Sequence, residues 1–127
     1  MTPWTARAGT VHVVAPAGAE VRPMLEVARG GMALCTLPPG GVSQAVRHKS
    51  IEELWFVTAG TGQVWRKLGD REEVVDAGPG TCLAIPTGAH FQFRNTGGGP
   101  FSFIMATMPP WPGMDEAVAV ENHWPIG

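Results

Sequence analysis

Tyrosine is absent from this sequence, cysteine occurs only twice, and charged residues make up only 16% of the 127 residues. Long apolar runs are also absent, and none approaches the roughly 20 residues that a membrane-spanning helix needs. The N-terminus lacks a basic start followed by a long apolar segment, so we expect neither a signal peptide nor a membrane partner. A cytoplasmic location is the resulting expectation.

The charges that are present carry both signs and do not cluster. Nine basic residues face eleven acidic ones, for a net charge of −2. Because nucleic acids are bound by basic surfaces, we expect no nucleic-acid partner. The expected partner is a small-molecule substrate or ligand. We also expect a homodimer, because exposed strand edges and Pro-rich termini are commonly covered by a second copy.

The two cysteines, Cys35 and Cys82, lack the close spacing that metal sites use. Each lies inside an apolar run, which predicts a buried, reduced thiol. Spacing alone leaves a disulfide between them open.

Glycine and proline are the abundant residues, with 17 and 12 copies, yet 44% of the chain is hydrophobic. Many short strands joined by tight turns satisfy both features, so we predict one all-β domain, an antiparallel double-sheet β-barrel over residues 1–127. We place N-terminal strands in 11–27, the barrel core in about 32–108 and a Pro-rich tail in 109–127. At most one short helical turn is expected, after Asp115.

The stretch 47–62 contains the strongest site candidate. Residues 54–58 are aromatic or β-branched and predict a strand that ends at a glycine turn. Because side chains alternate along a strand, Glu53 should share the buried face of Trp55 and Val57. A buried carboxylate needs a partner. The nearest candidates in sequence are Arg47, His48 and Lys49.

Two further strands supply residues to the same site. Alternation over 42–48 places Gln44, Val46 and His48 on one face. In the strand 90–95, alternation turns Phe91 and Phe93 inward, and His90 outward with Gln92 and Arg94 unless a bulge intervenes.

These residues resemble the two motifs of the cupin superfamily, which are small β-barrels. The first motif runs Gly, five residues, His, one residue, His, three or four residues, Glu, six residues, Gly. Here His48 matches its second His, Glu53 its Glu and Gly60 its final Gly, but Val46 stands where the first His is expected.

The second motif runs Gly, five residues, Pro, one residue, Gly, two residues, His, three residues, Asn. Its frame is matched by Gly80, Pro86, Gly88 and Asn95. Phe91 stands at its His position, and His90 lies one place early. The stretches 51–67 and 85–96 are similar in sequence to those of single-domain bacterial cupins. This resemblance implies a jelly-roll-like barrel around a ligand pocket.

Three functions remain open under this resemblance. In the first, His48 and Glu53 are catalytic and transfer a proton without metal, in an isomerisation, cyclisation or dehydration. In the second, a weakly bound divalent metal (Fe, Mn, Ni or Zn) is held by His48, Glu53 and His90 in an oxygenase or isomerase. In the third, the pocket only binds a ligand. The predicted substrate-binding residues are Gln44, Val46, Trp55, Phe91, Phe93 and Met105.

Overall fold

The computed structural model describes residues 4–8, 13–14, 19–113 and 115–126. These residues form β-strands and turns without a helix, as the sequence predicts. In chain order the strands are β1 (Val13–Val14), β2 (Glu20–Val27), β3 (Gly30–Leu37), β4 (Val46–His48), β5 (Glu52–Ala59), β6 (Gly62–Leu68), β7 (Arg71–Ala77), β8 (Cys82–Ile85), β9 (His90–Asn95), β10 (Phe101–Met108) and β11 (Ala117–Ala119). In these ranges no helix is long and apolar enough to cross a membrane.

The strands form two antiparallel sheets that face each other across one core. The first sheet has the order β1-β2-β3-β10-β5-β8, and the second has the order β11-β4-β9-β6-β7. The predicted all-β, double-sheet, jelly-roll-like architecture is thereby confirmed. β8 and β7 are edge strands of the two sheets.

The core follows from the alternation of side chains along the strands. In β5, Glu53, Trp55 and Val57 are buried, while the residues between them are exposed. The core cluster also takes Phe91 and Phe93 from the facing sheet. The outward residues of β5 are not all polar, since Leu54 and Phe56 are about half exposed on the outer face of the first sheet.

Gly60 shows why the turn after β5 needs glycine. Its φ is +80°, a region that residues with a side chain rarely adopt, and an added Cβ would collide with the carbonyl oxygen of Pro100. Steric constraints therefore require glycine at the last position of the first motif.

The segment 42–48 differs from the predicted strand. Only 46–48 are strand, and Val42 forms an isolated bridge to Arg94. Val42 and Ala45 belong to a second apolar cluster outside the main core, whereas Val46 packs against the main core. The strict alternation expected for this segment is therefore wrong.

The C-terminal tail causes this departure because it packs on the outer face of the second sheet. Gln92 is fully buried, accepts the backbone N–H groups of His123 and Trp124, and donates to the carbonyl oxygens of Ser43 and Trp124. After Asp115 the tail forms the strand β11 and no helical turn, within the expected limit of at most one.

Other expectations meet mixed outcomes. Cys35 is buried and free as predicted, whereas Cys82 is free but exposed, on the edge strand β8. Of the N-terminal strands predicted in 11–27, the structure describes β1 and β2. Residues 11–12 and 15–18 of this range lie outside the described residues.

Candidate functional site

Glu53 lies at the start of β5 and faces the interior, with only 4% of its surface exposed. Across the sheet it is paired with Thr107 on one side and Ile85 on the other. Its Oε1 accepts a hydrogen bond of 3.0 Å from the indole Nε1 of Trp55. The predicted partner Arg47, His48 or Lys49 is therefore replaced by Trp55, two residues along the same face.

This environment favours the protonated carboxyl. Burial raises the pKa of Glu53, the hydrogen bond from Trp55 opposes the rise, and the charge of Glu116 adds to it, so that the pKa reaches about 7. A carboxyl with this pKa both gives and takes a proton near neutral pH, as a general acid–base group must.

His48 ends β4 and is equally buried. Its ring lies edge-on to Phe91, with centroids 5.1 Å apart, and edge-on to Trp111, with centroids 5.6 Å apart. Among the described residues its Nδ1 has no hydrogen-bond partner. Burial lowers the pKa of His48, while the charge of Glu116 opposes the change, so the neutral imidazole is favoured.

Glu116, just before β11, is a member of this site that the sequence reasoning missed. It is 3% exposed, and its carboxylate accepts bonds from Ser50 N, Ser50 Oγ and Ile51 N at 2.7, 2.6 and 3.0 Å. Burial acts to raise the pKa of Glu116, but the bonds from Ser50 and Ile51 outweigh it, and with His48 they lower the pKa to about 2.

Glu116 thus fixes the loop that joins the two candidate residues. Residues 49–51 connect β4, which ends in His48, to β5, which begins beside Glu53. The carbonyl oxygen of Glu116 also accepts the N–H of Lys49. No local sequence pattern indicates that Glu116 contacts this loop, because Glu116 lies 66 residues from Ser50 in the sequence.

Trp55, Phe91 and Phe93, which were predicted to bind substrate, pack against one another and form an aromatic wall. Trp55 stacks on Phe103 at 4.1 Å and lies edge-on to both Phe91 and Phe93 at 5.5 Å. Val46 and Met105 pack against the same cluster. These rings belong to the main core between the sheets.

Gln44 is not part of this wall. Its side-chain nitrogen donates to the carbonyl oxygens of Ala45 and Val120 and to Asn122 Oδ1. The side chain of Gln44 therefore binds the C-terminal tail. It can do so because the chain before β4 does not follow the alternation expected from the sequence.

His90 is not brought to His48 and Glu53. β9 pairs with β6 in unbroken register from Gly62↔Asn95 to Lys67↔His90, so no bulge turns His90 inward in place of Phe91. In the described parts of the chain no three His, Cys, Asp or Glu side chains are grouped to hold a metal ion.

The two donors that remain also fit a divalent metal poorly. Zinc sites, for example, use three or four protein ligands. Val46 and Phe91 stand at the two other positions of the motif and offer no donor atom. The ligand set His48, Glu53 and His90 is therefore not brought together among the described residues, and metal binding stays a prediction.

Trp111 covers His48 from the tail while remaining 44% exposed itself. Replacing Trp111 with alanine should admit water to His48, so we expect the pKa of His48 to move up towards its ordinary value of 6.5. An NMR titration of the imidazole ring measures this shift. Trp4, which is 95% exposed, provides the matched control Trp4→Ala, and an equal titration in both variants would contradict the covering role.

A family model described as "Cupin domain" matches residues 33–107, more than half of the chain. No curated protein matches the sequence significantly. Many solved structures share its fold.

Three of these structures illustrate the similarity. An uncharacterized conserved protein with a double-stranded beta-helix domain from Klebsiella pneumoniae has a TM-score of 0.68 at 17% identity, covering 94% of this chain and 92% of that chain. The capsular polysaccharide assembling protein CapF from Staphylococcus aureus has a TM-score of 0.73 at 16% identity, covering 94% and 36%. An oxalate decarboxylase has a TM-score of 0.79 at 16% identity, covering 94% and 32%. At such identities the similarity shows the fold alone, and this chain spans about a third of the latter two chains.

Proposed function

This chain belongs to the cupin domain family, and from that premise we propose that it is a small-molecule enzyme that moves a proton with Glu53 and His48. The substrate class is an organic metabolite with an acidic C–H beside a carbonyl group. The proposed reaction types are isomerisation, cyclisation and dehydration.

The observation that carries this proposal is the state of Glu53. It is a buried carboxyl on the inner face of a strand, accepts one hydrogen bond from the described side chains, and has a pKa raised to about 7 by burial. A carboxyl that served only structure would be expected to gain more donors, as Glu116 does with three. Perturbed pKa values of this kind cluster at functional sites.

His48 supplies the second group. Its Nδ1 is a buried polar atom without a partner among the described residues, and a buried polar atom of this kind lacks the compensation that a hydrogen bond gives. A substrate oxygen or hydroxyl would supply that bond. Because burial favours the neutral ring, His48 would polarise or orient the substrate rather than fix an anion.

The proposed step conserves protons and electrons. The C–H bond of the substrate breaks, its proton passes to the Glu53 carboxylate, and the electron pair moves into the adjacent carbonyl group to give an enolate. Return of the proton from Glu53 to the opposite face of the same carbon yields an epimer. In a 2-hydroxy carbonyl substrate, the hydroxyl proton moves to the former carbonyl oxygen, and return of the proton from Glu53 to the former carbonyl carbon yields an isomer. The aromatic rings of Trp55 and Phe91 exclude water around the exchange.

Deuterium uptake tests this step without knowledge of the product. The protein is incubated in D₂O with 2-oxo acids, 1,3-diketones and aldoses, and loss of the acidic C–H signal is followed by ¹H NMR. We expect catalysed exchange with one of these classes, reduced at least about 100-fold in Glu53→Gln, the usual contribution of a general base.

Glu52→Gln is the matched control, since Glu52 precedes Glu53 on the same strand and is exposed. It should leave the exchange rate unchanged. Exchange that persists in Glu53→Gln would contradict the role of Glu53. Probe binding without any catalysed exchange would favour the alternative of a non-catalytic binding module.

A further inference from the structure

A cavity lies at the seam between strands β6 and β7 of the second sheet and edge strand β8 of the first sheet. Its volume is about 160 Å³, far more than the 10–15 Å³ that one water molecule requires. It is lined by side chains of β6, β7 and β8 and by the turn after β8. None of its lining residues is among those assigned to the proton-transfer site.

Arg66 on β6 spans the two sheets at this cavity. Its Nη1 donates to the carbonyl oxygen of Ala84 in the first sheet at 2.9 Å, and its Nη2 donates to Glu73 Oε1 in the second sheet at 2.6 Å. The guanidinium is therefore fixed at both ends. Its Nε is buried and has no partner within the described ranges, and this burial keeps Nε out of reach of a molecule in the cavity.

The charge of the lining is unbalanced. Arg66, Lys67 and Arg71 face one carboxylate, Glu73, and that carboxylate is already paired with Arg66. The side chains of Lys67 and Arg71 form no hydrogen bond or ion pair with any residue that the structure describes. The cavity therefore has two cations in excess.

The rest of the lining is apolar. Leu68, Ala84, Pro86 and Ala89 form the other side of the cavity. A bare inorganic anion would leave these surfaces without a partner, whereas a short hydrocarbon body would cover them.

We infer that this seam is a binding site for a small carboxylate with a short hydrocarbon body, held by the side chains of Lys67 and Arg71. Arginine is well suited to carboxylates because its N–H groups match the carboxylate in geometry and charge. The site is separated from His48 by the turn of residues 86–89, in which Gly88 N donates to the carbonyl oxygen of His48.

An NMR titration of the ¹⁵N-labelled full chain with sodium butyrate tests the site. We expect saturable shifts of the Ala84 and Ala89 amide signals. Arg71→Gln should weaken binding about tenfold, as expected for the loss of a hydrogen bond between charged groups. Because Arg71 is exposed and unpaired among the described residues, this variant should fold normally.

The controls separate charge from shape. Butyramide has the same body without the charge and should not bind, and Arg29→Gln, an exposed arginine in the turn between β2 and β3, should bind butyrate as the wild type does. Binding of butyramide, or equal butyrate affinity in Arg71→Gln, would overturn the site. Inorganic phosphate binding as tightly as butyrate would overturn the assignment to carboxylates with a hydrocarbon body. A butyrate titration that gives no saturable shift of these amide signals would also refute the site.

Discussion

The free energy of unfolding of Glu53→Gln, measured relative to the wild type, is expected to rise by about 3 kcal/mol between about pH 4.5 and pH 8. The cause is the buried carboxyl, whose pKa is raised from 4.5 to about 7 by burial. Glutamine keeps an oxygen that can accept the hydrogen bond of Trp55 Nε1, and it cannot ionise.

The sign follows from the linkage between protonation and folding. A carboxyl with a raised pKa in the folded state holds its proton more tightly there than in the unfolded chain. Its contribution to stability is therefore fully present below about pH 4.5 and is lost as the pH rises through about 7. The glutamine variant does not lose it, so its relative stability increases with pH.

Urea unfolding at several pH values measures this difference. Any constant effect of the glutamine side chain cancels, because only the change with pH is compared. Glu52→Gln, at the exposed neighbouring position, should show no such trend. A flat difference between Glu53→Gln and the wild type would show that Glu53 ionises normally in the folded protein.

Replacing Glu116 with alanine is expected to lower the free energy of unfolding by about 3 kcal/mol near neutral pH, because three hydrogen-bond donors at a buried carboxylate lose their acceptor. Two of these donors are backbone N–H groups, of Ser50 and Ile51. The loop between His48 and Glu53 would lose its anchor at the same time.

The pH dependence of this effect has the opposite sign to that of Glu53. The pKa of Glu116 is lowered to about 2, so its contribution is present above about pH 4.5 and is lost as the pH falls through 2. The destabilisation by Glu116→Ala should therefore shrink in acid. Urea unfolding at neutral and acid pH checks both statements.

Asp115→Asn provides the control for Glu116. Asp115 is the preceding residue, is exposed, and forms only a surface ion pair of 3.3 Å with Lys49. Exposed pairs contribute little, so the change should be below about 1 kcal/mol. Equal losses in Asp115→Asn and Glu116→Ala would contradict the anchoring role of Glu116.

The sequence was most informative where structure depends on local periodicity. Alternation along β5 placed Glu53 with Trp55 and Val57 on the buried face, because the side-chain period of a strand is two. The motif glycines Gly60, Gly80 and Gly88 all adopt positive φ, which explains why the turn spacing identified the family.

The same reasoning failed where distant segments decide the structure. The tail packs against the second sheet through Gln92 and Asn122, and it thereby removes Gln44 from the site. Glu116 and Trp111 reach the candidate site from the tail, and neither has a pattern that indicates a contact with 48–53. The roles of His48 and Glu53 in catalysis stay predictions.

The central claim is that Glu53 exchanges a proton near neutral pH, and the most direct measurement is an NMR titration of its side-chain carboxyl in protein labelled with ¹³C at glutamate. The resonance assigned by comparison with Glu53→Gln should titrate with a pKa of about 7. A midpoint near the ordinary value of 4.5 would contradict the account, because Glu53 would then be an ionised carboxylate throughout the neutral range.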